Sequence, residues 1–293
     1  MSEDSVEIQS IAKDVERLRQ ERPHTRPFVD PFVGVLLART PLVDSLVEEG
    51  KGQPAPKPDL TKLGLGGALE PHDTLPLDAS GVRRVFEALQ QVLVNGFPAV
   101  RGDLMNIGAV AAGKEGFLME LARDMLGDRQ RFLIRTAHSF GVDPLVLGFW
   151  CIQILTPLAM ARGRLLRGLV PDGVWNRGYC PVCGSWPSLA HHTETGRMMT
   201  CSFCASRWQV TLPECPFCGA AGPFGQVAMP GVATERLVIC QNCHHYLGEI
   251  VGEPFPGMSP EVEALSLAPL EFLVRQQGGS PANLDWRQML WVH

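Results

Sequence analysis

Eight of the nine cysteines lie between Cys180 and Cys243, as the Cys-x-x-Cys pairs Cys180/Cys183, Cys201/Cys204, Cys215/Cys218 and Cys240/Cys243. A thiolate is a soft anionic ligand, and four of them in a tetrahedron suit zinc or iron. Two intervening residues let both sulfurs of a pair face one ion from a single tight turn. One such pair says little. Four pairs within 64 residues, two of them reading Cys-Pro-x-Cys-Gly, point to two tetrathiolate metal sites.

The stretch is an internal repeat. Cys180-Pro-Val-Cys-Gly returns as Cys215-Pro-Phe-Cys-Gly, and each is followed by a plainer pair after an insert of 17 or 21 residues. The first insert fits zinc-ribbon spacing, and the second runs slightly long. The simplest arrangement groups 180/183 with 201/204 and 215/218 with 240/243, whereas crossed pairing requires the modules to interleave. Proline fixes φ early in each Cys-Pro turn. Glycine after the second cysteine accepts positive φ, which turns backbone N–H groups toward the sulfurs. Arg197–Thr200, Trp208–Leu212 and Glu235–Ile239 read as short strands running into or out of these knuckles.

Disulfides are the first competing explanation. The segment Met1–Gln20 is charged and lacks the apolar core of a secretion signal, and 293 residues supply a core without covalent staples. A nucleic-acid ribbon is the second, and it is the alternative function for this chain. Such ribbons present a basic face. Here the net charge is −5, and between Asn176 and Ile250 there is no lysine, with Arg177, Arg197, Arg207 and Arg236 matched by Glu194, Glu214, Glu235 and Glu249. An enzyme is the third. No zinc-protease helix motif, phosphate loop or nucleophile elbow occurs, and Cys151 sits in an apolar run, so no catalytic residue is assigned. His191-His192 and His244-His245 read as surface or supporting groups, because four thiolates already complete each site.

The elements that carry these knuckles follow from periodicity. Ile8, Ile11, Val15 and Leu18 mark a first helix, and a second is expected from about Pro31 to Val47, interrupted or restarted near Pro41. Proline and glycine then dominate from Gly50 to Pro76. Val82, Val85, Phe86, Leu89, Val92 and Leu93 form one helical stripe, and further helices are expected over about 114–126 and 128–140. The 17-residue apolar run Leu145–Ala161 contains Gln153, Thr156 and Pro157. It is shorter than the ~20 residues of a spanning helix and reads as a buried helix starting at Asp143-Pro144. Ser259-Pro-Glu-Val-Glu starts another helix, and Trp286, Leu290 and Trp291 are expected to pack back on the body.

The lead-in Trp175…Gly178-Tyr179, Cys180-Pro-Val-Cys-Gly-Ser-Trp-Pro, Cys201-Ser-Phe-Cys-Ala-Ser-Arg-Trp, Cys215-Pro-Phe-Cys-Gly and Cys240-Gln-Asn-Cys-His-His-Tyr-Leu together resemble the formate dehydrogenase accessory protein family (FdhE-like). The resemblance is clear from about Asp143 to Leu247. It implies a cytoplasmic, non-enzymatic maturation factor that binds the catalytic subunit of a formate dehydrogenase. It also implies two metal ions per chain in rubredoxin-like modules, with iron favoured and zinc the alternative, held by Cys180, Cys183, Cys201, Cys204, Cys215, Cys218, Cys240 and Cys243. The expected fold is multidomain α+β. N-terminal helices (1–49) lead through a linker or long loop (50–79) to a helical core (80–174). Two tandem rubredoxin-like or zinc-ribbon-like modules follow (175–211 and 212–252), then a C-terminal helical segment (253–293) that packs back.

Overall fold

A computed structural model describes residues 3–51, 58–113, 116–127, 129–194, 196–282 and 287. The expected packing of Trp286, Leu290 and Trp291 lies outside the described residues. Helices α1 (Glu3–Glu21) and α2 (Arg26–Gly50) open the chain, followed by a short α3 (Leu60–Gly64). The helical body then continues through α4 (Ala79–Gly96), α5 (Arg101–Gly113), α6 (Phe117–Leu126), α7 (Arg129–Phe140) and α8 (Pro144–Leu166).

At the centre of this body, α8 packs against α2 and α4. Its residues Phe149, Trp150, Ile152 and Leu155 are buried, each contributing roughly 1.5–3 kcal/mol of apolar transfer. Phe32, Phe97 and Phe149 meet edge-on at centroid distances of 4.9–6.4 Å. The polar edge of Trp150 is satisfied too: its Nε1 donates to Gln90 Oε1 at 2.8 Å, and Gln90 Nε2 donates to the Leu104 carbonyl. Over Pro144–Leu169 the chain is long and apolar enough to cross a membrane by composition, but 83% of that apolar window is buried inside the protein.

Two helical expectations change. The second helix is unbroken from Arg26 to Gly50, with Pro31 and Pro41 inside it. A proline in a helix interior costs about 3 kcal/mol. Here the burial of Val35, Leu36, Leu42 and Val43 holds the helix together across Pro41. The helix α5 was not anticipated, although Leu104, Ile107, Gly108 and Ala111 are buried at helical spacing.

The region beyond Trp175 forms one mixed sheet. Its strands are β1 (Pro187–Thr193), β2 (Gly196–Cys201), β3 (Arg207–Val210), β4 (Phe224–Ala228), β5 (Glu235–Cys240) and β6 (Tyr246–Val251), in the order β3-β2-β1-β6-β5-β4. Each cysteine module therefore supplies three strands. They join through a parallel pairing of β1 with β6, in the register Leu189↔Gly248 to His192↔Val251. These features fit a multidomain α+β fold with two zinc-ribbon-like modules.

Helices α9 (Pro260–Ser266) and α10 (Ala268–Gln276) cover one face of the sheet. Leu189, Leu237, Tyr246 and Ile250 pack there against Ala264, Leu267, Leu270 and Val274. As expected, Ser259 caps α9, its side chain accepting from Val262 N. Near the chain end, the buried Arg287 donates to the Ala264 carbonyl and pairs with Glu271 at 2.9 Å.

Candidate metal centres

Each knuckle is built the same way. Cys180 N donates to Ser185 O, Cys201 N to Ser206 O, Cys215 N to Ala220 O and Cys240 N to His245 O, at 2.8–3.0 Å. The residue after the second cysteine has positive φ in every case: Gly184 (75°), Ala205 (55°), Gly219 (73°) and His244 (60°). The glycine positions were legible as such. Ala205 and His244 were not, since neither residue type signals a left-handed backbone, but alignment of the four knuckles would have located them. The turn aims amides at sulfur: Phe203 N and Cys204 N lie 3.4 and 3.5 Å from Cys201 Sγ.

The eight sulfurs form two groups, Cys180/Cys183/Cys201/Cys204 and Cys215/Cys218/Cys240/Cys243, and within each group all Sγ atoms lie within 4.8 Å of one another. Cross-knuckle Sγ···Sγ distances are 3.6 Å (180–204), 3.5 Å (183–201), 3.8 Å (215–243) and 3.7 Å (218–240). A tetrahedron with ~2.3 Å metal–sulfur bonds has edges of about 3.8 Å, so both groups have the donor type, number and spacing that could hold one ion each.

The surroundings of the groups differ. All four sulfur residues of the first group are buried, whereas in the second Cys218 is exposed and Cys243 half-buried. The Pro/Gly-rich stretch before α4 forms a strap over the first knuckle: Leu69, Glu70 and His72 donate backbone N–H bonds to Pro181, Val182 and Cys183 carbonyls at 2.8–2.9 Å. Glu70 also receives three hydrogen bonds from Arg162 of α8, at 2.7–3.0 Å. On the other side α8 runs so close that a Cβ on Gly163 would lie 2.6 Å from the Cys204 carbonyl.

The thiols differ accordingly. Burial pushes Cys180 and Cys201 well up, and Cys215 up to about 12. A hydrogen bond with the Cys180 sulfur holds Cys183 well below the usual thiol range. The Asn242 amide, and then the Ala220 N–H, bring Cys218 down to about 6. Both groups thus mix sulfurs that keep and lose their protons readily, and a cation displaces the remaining protons when it binds.

The side chains of the paired histidines have partners other than sulfur, although the backbone of His244 and His245 belongs to the fourth knuckle. His191 Nε2 lies 2.7 Å from Glu263, and His192 Nε2 lies 2.8 Å from Glu249. His245 contacts Ser280. The buried Glu249 of β6 also pairs with Arg236 of β5 at 2.8 Å, so its carboxylate ties β1 of the first module to two strands of the second. An aromatic file crosses the same junction. Trp175, Tyr179, Trp186, Phe217 and His245 stack edge to face in sequence, at centroid distances of 5.2–5.9 Å. Trp208 is buried, donating to the Arg177 carbonyl at 2.9 Å.

No protein-family model matches the chain. Among curated proteins it is similar to the FdhE homolog of Actinobacillus pleuropneumoniae serotype 3 (strain JL03), at 27% identity over 219 residues, spanning 72% of this chain and 68% of the relative. It is also similar to the FdhE homolog of Glaesserella parasuis serovar 5 (strain SH0165), at 25% identity over 276 residues, spanning 91% and 85%. Its fold is shared with the crystal structure of the FdhE protein from Pseudomonas aeruginosa, at a TM-score of 0.54 and 20% identity over 96% of each chain. The chain is thus similar in sequence to FdhE proteins along most of its length, and its fold is that of the solved FdhE structure.

Proposed function

We propose that this chain is a non-catalytic accessory factor for a formate dehydrogenase, acting in the cytoplasm on the catalytic subunit during its maturation. The observation that carries the reading is the presence of two complete four-sulfur sets on one sheet, in a chain similar to FdhE proteins along most of its length. The metal ligands in this reading are Cys180, Cys183, Cys201 and Cys204 at one centre and Cys215, Cys218, Cys240 and Cys243 at the other. A bound ion would cross-link the two knuckles of its module, and iron, favoured by the resemblance, would add one-electron chemistry that zinc lacks. The helical body and the sheet then form the surface presented to the client. A structural role is favoured for the first centre, whose sulfurs are enclosed between strap and α8.

The test uses a bacterium lacking its own accessory factor. Supplying this chain is expected to restore formate-dependent dye reduction, and a tagged copy is expected to co-purify with the catalytic subunit. A chain that restores nothing and captures no subunit contradicts the reading. Metal analysis with a visible spectrum distinguishes coloured ferric tetrathiolate from colourless zinc. Full client activation by the zinc-loaded protein would exclude a redox role.

A further inference from the structure

The two centres are copies of one design, so their differences are informative. The residue after the second cysteine of the leading knuckle is glycine in both, with nearly the same φ (75° at Gly184, 73° at Gly219). A Cβ at Gly184 would touch Ala68 of the strap at 3.6 Å, whereas one at Gly219 would meet nothing within 4 Å among the described residues. The strap that hydrogen-bonds Pro181, Val182 and Cys183 belongs to the first knuckle. At the second centre Cys218 is exposed, and the exposed Asn242 donates through Nδ2 to its sulfur at 3.5 Å. The corresponding Cys183 of the first centre is 6% exposed.

Ligand exchange at a tetrathiolate ion needs an open approach to the metal and a sulfur free to swing away. The second centre offers an exposed sulfur at one corner, held there by the Asn242 side chain, whereas all four sulfur residues of the first centre are buried. We propose that the second centre is exchangeable, taking up and surrendering its metal through the Cys218 corner, while the first centre holds its metal permanently. This rests on the metal reading above. The exchange partner is a thiol-bearing carrier of a soft divalent cation. Cys218 Sγ leaves as a thiolate as the carrier's thiolate sulfur bonds the ion, so one S–metal bond replaces another with no net proton transfer, and the oxidation state of the ion does not change.

The experiment uses the full-length chain loaded with zinc. Its metal content is first measured against the two sulfur groups. Fewer than two equivalents overturns the metal reading and the proposal with it. The loaded protein is then mixed with excess pyridylazoresorcinol, and zinc release is followed by absorbance. Two phases of one equivalent each are expected, with rates at least on the order of tenfold apart, since local opening differs that widely between covered and open regions. A pulse of N-ethylmaleimide during the fast phase, read by peptide mass spectrometry, should label Cys215, Cys218, Cys240 and Cys243. Asn242→Ala should speed the fast phase and leave the slow one unchanged. With two equivalents bound, a single phase, or early labelling of Cys180, Cys183, Cys201 or Cys204, overturns the proposal. Equal effects of Asn242→Ala on both phases overturn the role given to Cys218.

Discussion

Gly178 and Pro216 touch across the boundary between the two cysteine modules, so closely that a Cβ on Gly178 would lie 2.1 Å from the Pro216 carbonyl oxygen. The contact is backbone on backbone, so no side chain can turn away to relieve it. Gly178→Ala is therefore expected to cost about 1–3 kcal/mol, as overpacking does. Gly102→Ala, on a helix position with nothing within 4 Å, is the control. Its expected effect is neutral or stabilising by up to ~1 kcal/mol. Urea unfolding of both variants checks the pair.

The strap over the first knuckle depends on Glu70 and Arg162, whose side chains are 15% and 17% exposed. Charge-assisted hydrogen bonds of this kind contribute about 1.5–3 kcal/mol. Glu70→Ala should lose roughly that amount and expose the strap to limited proteolysis. An unchanged digestion pattern would show that the backbone bonds to Pro181, Val182 and Cys183 hold the strap unaided.

Asp78 caps α4, accepting from Gly81 N at 2.7 Å. The Ser80 hydroxyl first, and then the Gly81 N–H, hold its carboxyl below the usual carboxylate range. Its folded-state value is depressed, so its contribution is fully present above the unfolded value and is lost as the pH falls through the folded one. Asp78→Ala should cost about 1 kcal/mol at neutral pH. The deficit relative to the parent should shrink on acidification, as unfolding curves at a series of acid pH values would show.

Removing metal should destabilise the sheet more than the helical body. Under the metal reading, chelation is expected to lower the apparent Tm by several degrees, at about 2–4 °C per kcal/mol for large domains. Helical circular dichroism should be mostly retained below the transition, because α2, α4 and α8 bury their apolar faces chiefly against one another. Cys201→Ser, at a buried sulfur, should lower Tm more than Cys243→Ser, at a half-buried one. The reverse order would contradict the structural weight given to the first centre.

The knuckles were legible because each is local: four or five consecutive residues fix the turn, the cap and two ligands. The grouping 180/183 with 201/204 was the simplest arrangement that the insert lengths allowed, with crossed pairing left open, and the sulfurs fall in those groups. The joint between modules was not legible. Leu189 and Gly248 pair across the chain in parallel β1 and β6, and nothing in the alternation of either strand names its partner. The unbroken α2 escaped for a related reason. Its prolines are local signals, and they are overridden by burial between helices that lie far away in sequence. The strap at Leu69–His72 has no periodicity, and its hydrogen bonds are backbone bonds that any residue could make.

The β1–β6 pairing sets an order of assembly during synthesis. The first module can close its own hairpins once Val210 has left the ribosome, but the open side of β1 has no neighbour until Val251 follows it. Until then β1 is a bare strand edge, able to pair with another nascent chain. A fragment ending between the modules would carry that edge permanently, so the second module shields the first from self-association as well as supplying its own four sulfurs.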